Sequence, residues 1–430
     1  MDGDKSNIVS NFDERVAYIL DACTACGKCF EICPMASAVE IDTTDSEIVT
    51  AGILDILKSG AGPEVSEKWA TACSQTGQCI SQCEYGVNPR FMLAMARQTM
   101  KRTRTPEAER RANGKANFKK LVKGVRSLTG IQLPKAEINN YSRPPKGGDG
   151  TPEILFWTGC NVWRTPHIVM HCLDILDNIG TPYEVLGGPG NCCGKVQLRT
   201  GDDDGAAKQI ASSSDRFAAT GAQEVVSWCP TCQMQIGETM IEGKSEDRPY
   251  DTSIFAAFLA DRLDDLKKAF THRVEKRVGL HLHGDLAGAN AGALAVLSAI
   301  PGLEIVDYGP ELPGYQCNSL RNNPEFRKES IDAHLDAAEK AGVDTLAVVY
   351  HSCYRVLCTR GEGRSFDVVN FVELLGKAMG IEHPPSFKRL KLLGEGDKVL
   401  DAAANMIAKN AMDADEVRAV VDAEMLGERD

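Results

Sequence analysis

The sequence lacks the segments that would place a protein in or across a membrane. Its first residues, MDGDKSNIVSNFDERV, contain no basic stretch followed by an apolar core, so we predict no secretory signal. The best candidate for a membrane span, residues 286–303, is mostly glycine and alanine, is interrupted by Pro301, and is too short and too weakly apolar. These absences predict a cytoplasmic protein.

A dinucleotide fingerprint and a net positive charge are also absent. No Gly-x-Gly-x-x-Gly stretch follows a strand-like run, so no flavin or nicotinamide site is evident. The net charge of −12 argues against nucleic acid as a partner. Residues 97–146 are basic in contrast to the rest of the chain, with fourteen Lys/Arg and three Asp/Glu. This segment is either a solvated helical linker or a docking surface for an acidic partner or anionic lipid headgroups, which would make the protein peripheral at the inner face of the membrane.

The pattern of apolar residues changes along the chain. Residues 8–20, 45–60 and 90–103 have helical periodicity, whereas short apolar runs alternate with helical periods after residue 150. Residues 220–232 resemble residues 341–353 without a gap, which indicates an internal repeat. We therefore predict an α+β protein in which a helical N-terminal domain precedes two repeated α/β units with pseudo-two-fold symmetry. The predicted boundaries are 1–100 for the helical domain, 101–150 for a basic linker, 151–275 and 276–395 for the two units, and 396–430 for a helical tail.

Sixteen cysteines are present, and twelve fall into three tight groups. In a reducing compartment such clustering indicates metal or redox chemistry and not a disulfide framework. The first group has the spacing C-x2-C-x2-C-x3-C-P of bacterial ferredoxins, in which three thiolates reach one cluster and the fourth serves a second cluster. The second group keeps this spacing, but Thr76 replaces its second cysteine. The crossed rule predicts a four-iron cubane on Cys23, Cys26, Cys29 and Cys83, and a second cluster on Cys33, Cys73 and Cys79.

The second cluster has only three predicted cysteine ligands. A hydroxyl is a poor ligand for iron–sulfide, so we expect a three-iron cluster or a four-iron cluster with one labile iron. The alternative is that no second cluster forms and that these cysteines only pack.

The third group, Cys160, Cys192, Cys193, Cys229 and Cys232, contains a Cys-Cys-Gly triplet and a closing C-x2-C. Five cysteines exceed the four ligands of a tetrahedral zinc ion, although a zinc ion or a cubane that uses four of them is the alternative. The pattern C-x31-CCG-x34-C-x2-C resembles the CCG domain of the heterodisulfide reductase catalytic subunit. The whole order, over residues 15–395, also resembles the iron–sulfur subunit of anaerobic glycerol-3-phosphate dehydrogenase. The resemblance implies that these five cysteines hold a noncubane four-iron cluster that acts on a substrate disulfide.

The second repeat departs from this pattern. Gly284 stands at the place of the leading cysteine, and only Cys317 and Cys353 remain of five, so a second noncubane cluster is not expected. One interpretation is a zinc or other mononuclear site formed by His281, His283, Cys317, His351 and Cys353. A second, which the sequence favours, is a degenerate scaffold with hydrogen-bonded histidines. A third is that these residues line the pocket of the first repeat as proton donors.

Three classes of function fit these motifs. The first is an iron–sulfur oxidoreductase subunit of a heterodisulfide-reductase-like complex, which passes electrons between the N-terminal clusters and the noncubane cluster and acts on a disulfide or thiol. The second is an electron relay from a flavoprotein dehydrogenase to quinone or another carrier. The third is an iron–sulfur scaffold without redox function. We rank electron transfer in a heterodisulfide-reductase-like complex first.

Overall fold

The computed structural model describes residues 3–41, 45–142, 150–239 and 249–427. Its architecture is α+β, as predicted: a helical N-terminal part is followed by two four-stranded parallel sheets, each flanked by helices. None of the helices in these described ranges is both long and apolar enough to cross a membrane.

The N-terminal part consists of helices joined by cysteine-bearing loops. Its helices are α1 (Gly3–Ala22), α2 (Lys28–Glu31), α3 (Pro34–Ala38), α4 (Ser46–Ser59), α5 (Glu64–Ala72), α6 (Pro89–Arg104), α7 (Glu107–Gly130) and α8 (Lys135–Ser142). Helix α6 begins at Pro89, where the missing N–H costs nothing, and the Asn88 side chain accepts a hydrogen bond from the N–H of Phe91. This cap fixes the helix directly after the second cysteine run.

The segment predicted as a basic linker, residues 101–150, is more than a connection. In its long helix α7, Val125 and Leu128 are buried, and the helix packs against elements of the first α/β unit and of the C-terminal tail. Several of its cations have partners within the chain, such as Arg111 with Asp204 and Lys123 with Glu416. The predicted boundary at residue 150 directly follows residues 143–149, which lie outside the described residues.

The first α/β unit has a parallel sheet with the strand order β2-β1-β3-β4. Its elements are β1 (Ile154–Gly159), α9 (Pro166–Asn178), β2 (Tyr183–Gly187), α10 (Lys195–Leu198), α11 (Asp203–Ala219), β3 (Glu224–Ser227), α12 (Pro230–Met234), β4 (Asp251–Ile254), α13 (Phe255–Ala260) and α14 (Leu263–Ala269). Every residue of β1 is buried, as expected for a central strand of a parallel sheet covered on both faces.

The second unit repeats this topology, with the strand order β6-β5-β7-β8. Its elements are β5 (Lys276–His281), α15 (Ala289–Ser298), β6 (Leu303–Ile305), α16 (Pro324–Lys340), β7 (Thr345–Val348), α17 (His351–Leu357), β8 (Asp367–Asn370) and α18 (Phe371–Met379), and the tail adds α19 (Ser386–Leu392), α20 (Gly396–Lys409) and α21 (Ala414–Val420). The predicted repeat is therefore present as a structural repeat.

The two units pack reciprocally. Helix α13, at the end of the first unit, contacts α15 at the start of the second, and α9 makes the matching contact with α18. Such an exchange of equivalent contacts is the mark of a two-fold relation. At the centre, the ring of Trp228 stacks parallel to that of Phe371, with centroids 5.9 Å apart, so the two units share one core.

Candidate functional site

The five cysteines of the third group lie at the carboxyl ends of three neighbouring strands. Cys160 follows β1, Cys192 and Cys193 follow β2, and Cys229 and Cys232 follow β3. Because β2 and β3 flank β1, this is the point at which the strand order reverses, where ligands bind in open parallel sheets.

Close backbone approach allows these thiols to meet. Gly159 has a φ of +72°, and a Cβ built there would lie 3.1 Å from the Sγ of Cys232. The thiols of Cys160, Cys192, Cys193, Cys232 and Cys229 form a chain of hydrogen bonds, and all five residues are buried. A side-chain replacement at Gly159 would therefore intrude among the sulfur atoms.

The chemistry of this donor set fits an iron–sulfur cluster. A hydrogen bond with Cys160, followed by burial, raises the pKa of the Cys192 thiol, and a hydrogen bond with Cys192 raises the pKa of Cys193 to about 12. Such thiols keep their protons until a metal displaces them. Five soft sulfur donors at one place suit a multi-iron centre better than a single zinc ion.

A cavity of about 340 Å³ opens over these thiols. Residues from three parts of the chain line it: the N-terminal part (the loop after α5 and helices α6 and α7), the first unit, and the second unit (the loop after β6 and the start of α17). Among the described residues, its charged lining is cationic throughout and consists of Arg97, Lys101, Lys195, Arg199 and Arg321. In a chain with a net charge of −12, five cations around one cavity indicate a ligand of negative charge.

Each cation of this cavity makes the charged form of its neighbours less favourable. Burial, and then the charges of Arg97 and Arg199, lower the pKa of the half-buried Lys195 to about 7. Burial and the charge of Arg97 likewise lower the pKa of Lys101 to about 8. An anion in the cavity would offset this repulsion.

The N-terminal cysteines form two adjoining groups, and Cys29 lies beside both, because after burial and Cys73 it also raises the pKa of Cys79. Burial, and then the proximity of Cys83 and Cys26, raises the pKa of the Cys23 thiol. Burial, and then the proximity of Cys23 and Cys26, raises the pKa of Cys29 to about 12. These four thiols are therefore neighbours.

Cys33, Cys73 and Cys79 line a second, smaller cavity. The Trp69 indole N–H donates a hydrogen bond of 3.3 Å to the Sγ of Cys33. Cys73 also lines the cationic cavity, so the predicted second cluster adjoins the site of the third group.

Thr76 is engaged with the second α/β unit. Its Oγ1 accepts a hydrogen bond of 2.6 Å from the N–H of Gly314 and lies 3.0 Å from the Oγ of Ser74. A Cβ at Gly284 would lie 2.8 Å from the Cγ2 of Thr76. The place at which a leading cysteine would stand in the second repeat is therefore closed by the N-terminal loop.

Four of the five residues predicted to converge in the second unit do so. The ligating atoms of His281, His283, Cys317 and Cys353 all lie within 4.8 Å of one another. The inclusion of His351 in this group was wrong: its Nδ1 accepts a hydrogen bond of 3.2 Å from the Trp228 indole, and the residue lines the cationic cavity instead. Cys172 and Cys358, which belong to no motif, are buried in the apolar core.

Comparison with known proteins agrees with this geometry. Residues 154–237, which contain all five cysteines of the third group, match the family of cysteine-rich domains named CCG. Over 395 residues the chain is 23% identical to a subunit of dihydromethanophenazine:CoB–CoM heterodisulfide reductase from Methanosarcina mazei, a match that covers 84% of this chain and 95% of that protein. The corresponding Methanosarcina barkeri protein is 24% identical, with coverage of 84% and 94%.

The chain is therefore similar to heterodisulfide reductase subunits over most of its length, and residues 154–237 match a CCG-type cysteine-rich domain. It is also 25% identical to a subunit of fumarate reductase (CoM/CoB) from Methanothermobacter marburgensis, over 84% of this chain and 61% of that longer protein. These relatives are components of oxidoreductases, and the predictions of an oxidoreductase and of iron–sulfur cofactors are confirmed at that level.

Sequence reasoning missed the cations that line the cavity. Arg97 and Lys101 were counted within the basic segment, and Arg199 and Arg321 belong to no motif. Only Lys195 could have been placed near the site from the sequence, because it directly follows the Cys-Cys-Gly triplet.

Proposed function

We propose that this chain is an iron–sulfur subunit that passes electrons between its N-terminal clusters and a CCG-type cluster, where an anionic disulfide or thiol reacts. The observation that carries the proposal is the single cavity that the five CCG cysteines line together with Cys73 of the predicted second cluster and the five cations. A noncubane iron–sulfur cluster, when bound, supplies one-electron chemistry at a substrate sulfur.

The cofactor assignment follows the neighbourhoods of the thiols. We assign one four-iron cubane to Cys23, Cys26, Cys29 and Cys83, a cluster with three cysteine ligands to Cys33, Cys73 and Cys79, and a noncubane four-iron cluster to the CCG cysteines. The engaged hydroxyl of Thr76 supports three-iron nuclearity for the second cluster, since it is held by Gly314.

The residues around the cavity would bind and orient the substrate. Arg97, Arg199 and Arg321 provide fixed positive charge for carboxylate, sulfonate or phosphate groups. Lys195, which follows the Cys-Cys-Gly triplet and lines the cavity, would place a proton donor beside a sulfur leaving group. The chain would receive its electrons from a flavoprotein or other donor protein, since its relatives are named as components of larger enzymes.

The proposal is tested by titration of the oxidised, anaerobically purified protein with three small thiols that differ in charge: mercaptopropionate, mercaptoethanol and cysteamine. We expect a new paramagnetic signal in the electron paramagnetic resonance spectrum, with a half-saturating concentration about tenfold or more lower for the anionic thiol than for the neutral one. A cationic preference would exclude the anionic substrate class. Silence with all three thiols would exclude sulfur binding and leave the electron relay.

A further inference from the structure

The second α/β unit contains a compact set of ligating side chains at the same sheet edge as the CCG cysteines of the first. His281 ends β5 and His283 follows it, Cys317 lies after β6, and Cys353 lies near the start of α17 after β7. In register, His281 pairs with Val348 as Trp157 pairs with Ser227. The fold therefore brings these residues to the position equivalent to the CCG site.

The distances within this set correspond to the first shell of one ion. The Nε2 of His281 lies 3.2 Å from the Nε2 of His283 and 3.2 Å from the Sγ of Cys317. Around a tetrahedral zinc ion two nitrogens would be about 3.3 Å apart, and nitrogen and sulfur about 3.6 Å. The ligands of a four-iron cluster would be spread further, because they surround four metal ions.

The surroundings of His283 fix which ring nitrogen faces the set. Its Nδ1 lies 2.9 Å from the carbonyl oxygen of Pro313, which can only accept, so Nδ1 carries the proton and Nε2 presents a lone pair. A carbonyl that orients the second ring nitrogen is the usual support of a histidine ligand.

We propose that His281, His283, Cys317 and Cys353 bind one zinc ion in a closed tetrahedral site. All four residues are buried, and two thiolates with two neutral imidazoles balance the charge of Zn²⁺ inside the protein. With four protein ligands and no open position, the ion is structural.

The site would brace the surface on which the N-terminal module docks. The loops that carry its ligands are joined by a hydrogen bond of 2.9 Å from the N–H of Gly284 to the carbonyl of Gly314, and the N–H of Gly314 in turn holds Thr76. The second unit has lost the CCG ligand set, and the zinc ion would keep the same strand ends in place.

The experiment measures zinc and iron in the full chain, purified without oxygen and washed with a chelator. We expect about one zinc per chain, and an X-ray absorption spectrum with two sulfur ligands at about 2.3 Å and two nitrogen ligands at about 2.0–2.1 Å. The Cys353→Ser variant should lose the zinc and keep its iron. The control variant, Cys358→Ser, changes another buried cysteine five residues further along and should keep both metals.

Full iron without zinc in the wild-type chain would overturn the proposal. So would zinc that persists in Cys353→Ser, a shell of four sulfurs, or a Cys317–Cys353 disulfide detected by mass spectrometry. The X-ray absorption spectrum of the wild-type chain tests the proposed zinc ligands on its own, even where a variant fails to fold. The zinc site does not rest on the proposed function, since a chain with zinc but no response to thiols would contradict only the latter.

Discussion

The hydroxyl of Thr76 is a small group in a decisive position. It stands where the ferredoxin spacing would place a fourth ligand for the second cluster, yet it accepts a hydrogen bond from Gly314 in the second α/β unit. A thiol in its place would be a weak partner for that N–H and a strong ligand for iron. In the proposed cluster assignment, this one side chain couples the nuclearity of the second cluster to the packing of the N-terminal part against the second unit.

We predict that Thr76→Cys converts the three-cysteine cluster into a four-iron cubane. Iron should rise from about eleven to about twelve per chain, and the electron paramagnetic resonance signal of an oxidised three-iron cluster should disappear. The Thr76→Ser control keeps the hydroxyl and should retain both the lower iron content and the signal. Equal iron and an unchanged spectrum in Thr76→Cys would mean that this position does not face the cluster.

Lys195 gives the cationic cavity a pH dependence. With a pKa near 7 it is charged below neutral pH and neutral above, so it attracts an anion only on the acidic side. Because this folded-state pKa lies below that of a free lysine, the charged form also costs folding stability below pH 7. The cost is fully present below about pH 7 and falls as the pH rises from there towards the pKa of a free lysine, above which it is absent.

We predict that the affinity for mercaptopropionate falls between about pH 6 and about pH 8 in the wild-type chain. The fall should be about threefold to tenfold larger than in the Lys195→Met variant. The ratio of the wild-type affinity to the variant affinity at each pH cancels the contribution of the ionisation of the thiol ligand. Lys208→Met, which changes an exposed lysine on α11, serves as the control and should follow the wild type. Parallel pH profiles for the wild type and Lys195→Met would show that Lys195 does not act on the bound anion.

At the scale of elements, the reciprocal helix pairs hold the two α/β units together. Helices α13 and α15 approach so closely that a Cβ at Gly292 would overlap the backbone carbonyl of Ala256. Backbone cannot move aside as a flexible side chain can, so this glycine is a packing requirement.

We predict that Gly292→Ala lowers the free energy of unfolding by about 1–3 kcal/mol, since it forces α13 and α15 apart. Chemical denaturation of the metal-loaded chain measures this change. Gly237→Ala introduces the same methyl group where no atom of the described residues lies within 4 Å, and it should be neutral or slightly stabilising. Equal losses in both variants would argue against a tight α13–α15 contact.

The elements differ in how far the sequence could predict them. The strands β1 and β3 and the helices α4 and α6 follow from apolar runs and helical periods, and the ungapped match of 220–232 with 341–353 predicted the repeated sheet. The burial of α7 was not predicted, because its basic residues suggest solvent while Val125 and Leu128 provide only a short apolar stripe. Its partners lie far away in sequence, and no local pattern encodes them.

At the scale of the whole molecule, cysteine spacing could predict candidate ligand sets, because ligand spacing is a local property of each loop, and the assignment of these thiols to clusters stays a prediction. The cationic cavity could not be predicted, since Arg97, Lys195 and Arg321 meet only when the three parts of the chain pack together. The same holds for His351, whose position near Cys353 in sequence suggested a shared site although its ring turns toward Trp228.

The exchange of helix contacts between the two units makes each half dependent on the other. Without the second half, α9 and α13 would present wide apolar faces to water, and a shortened chain would be expected to aggregate. The half without the sulfur-site cysteines thus supplies packing surface on which the half that carries them depends.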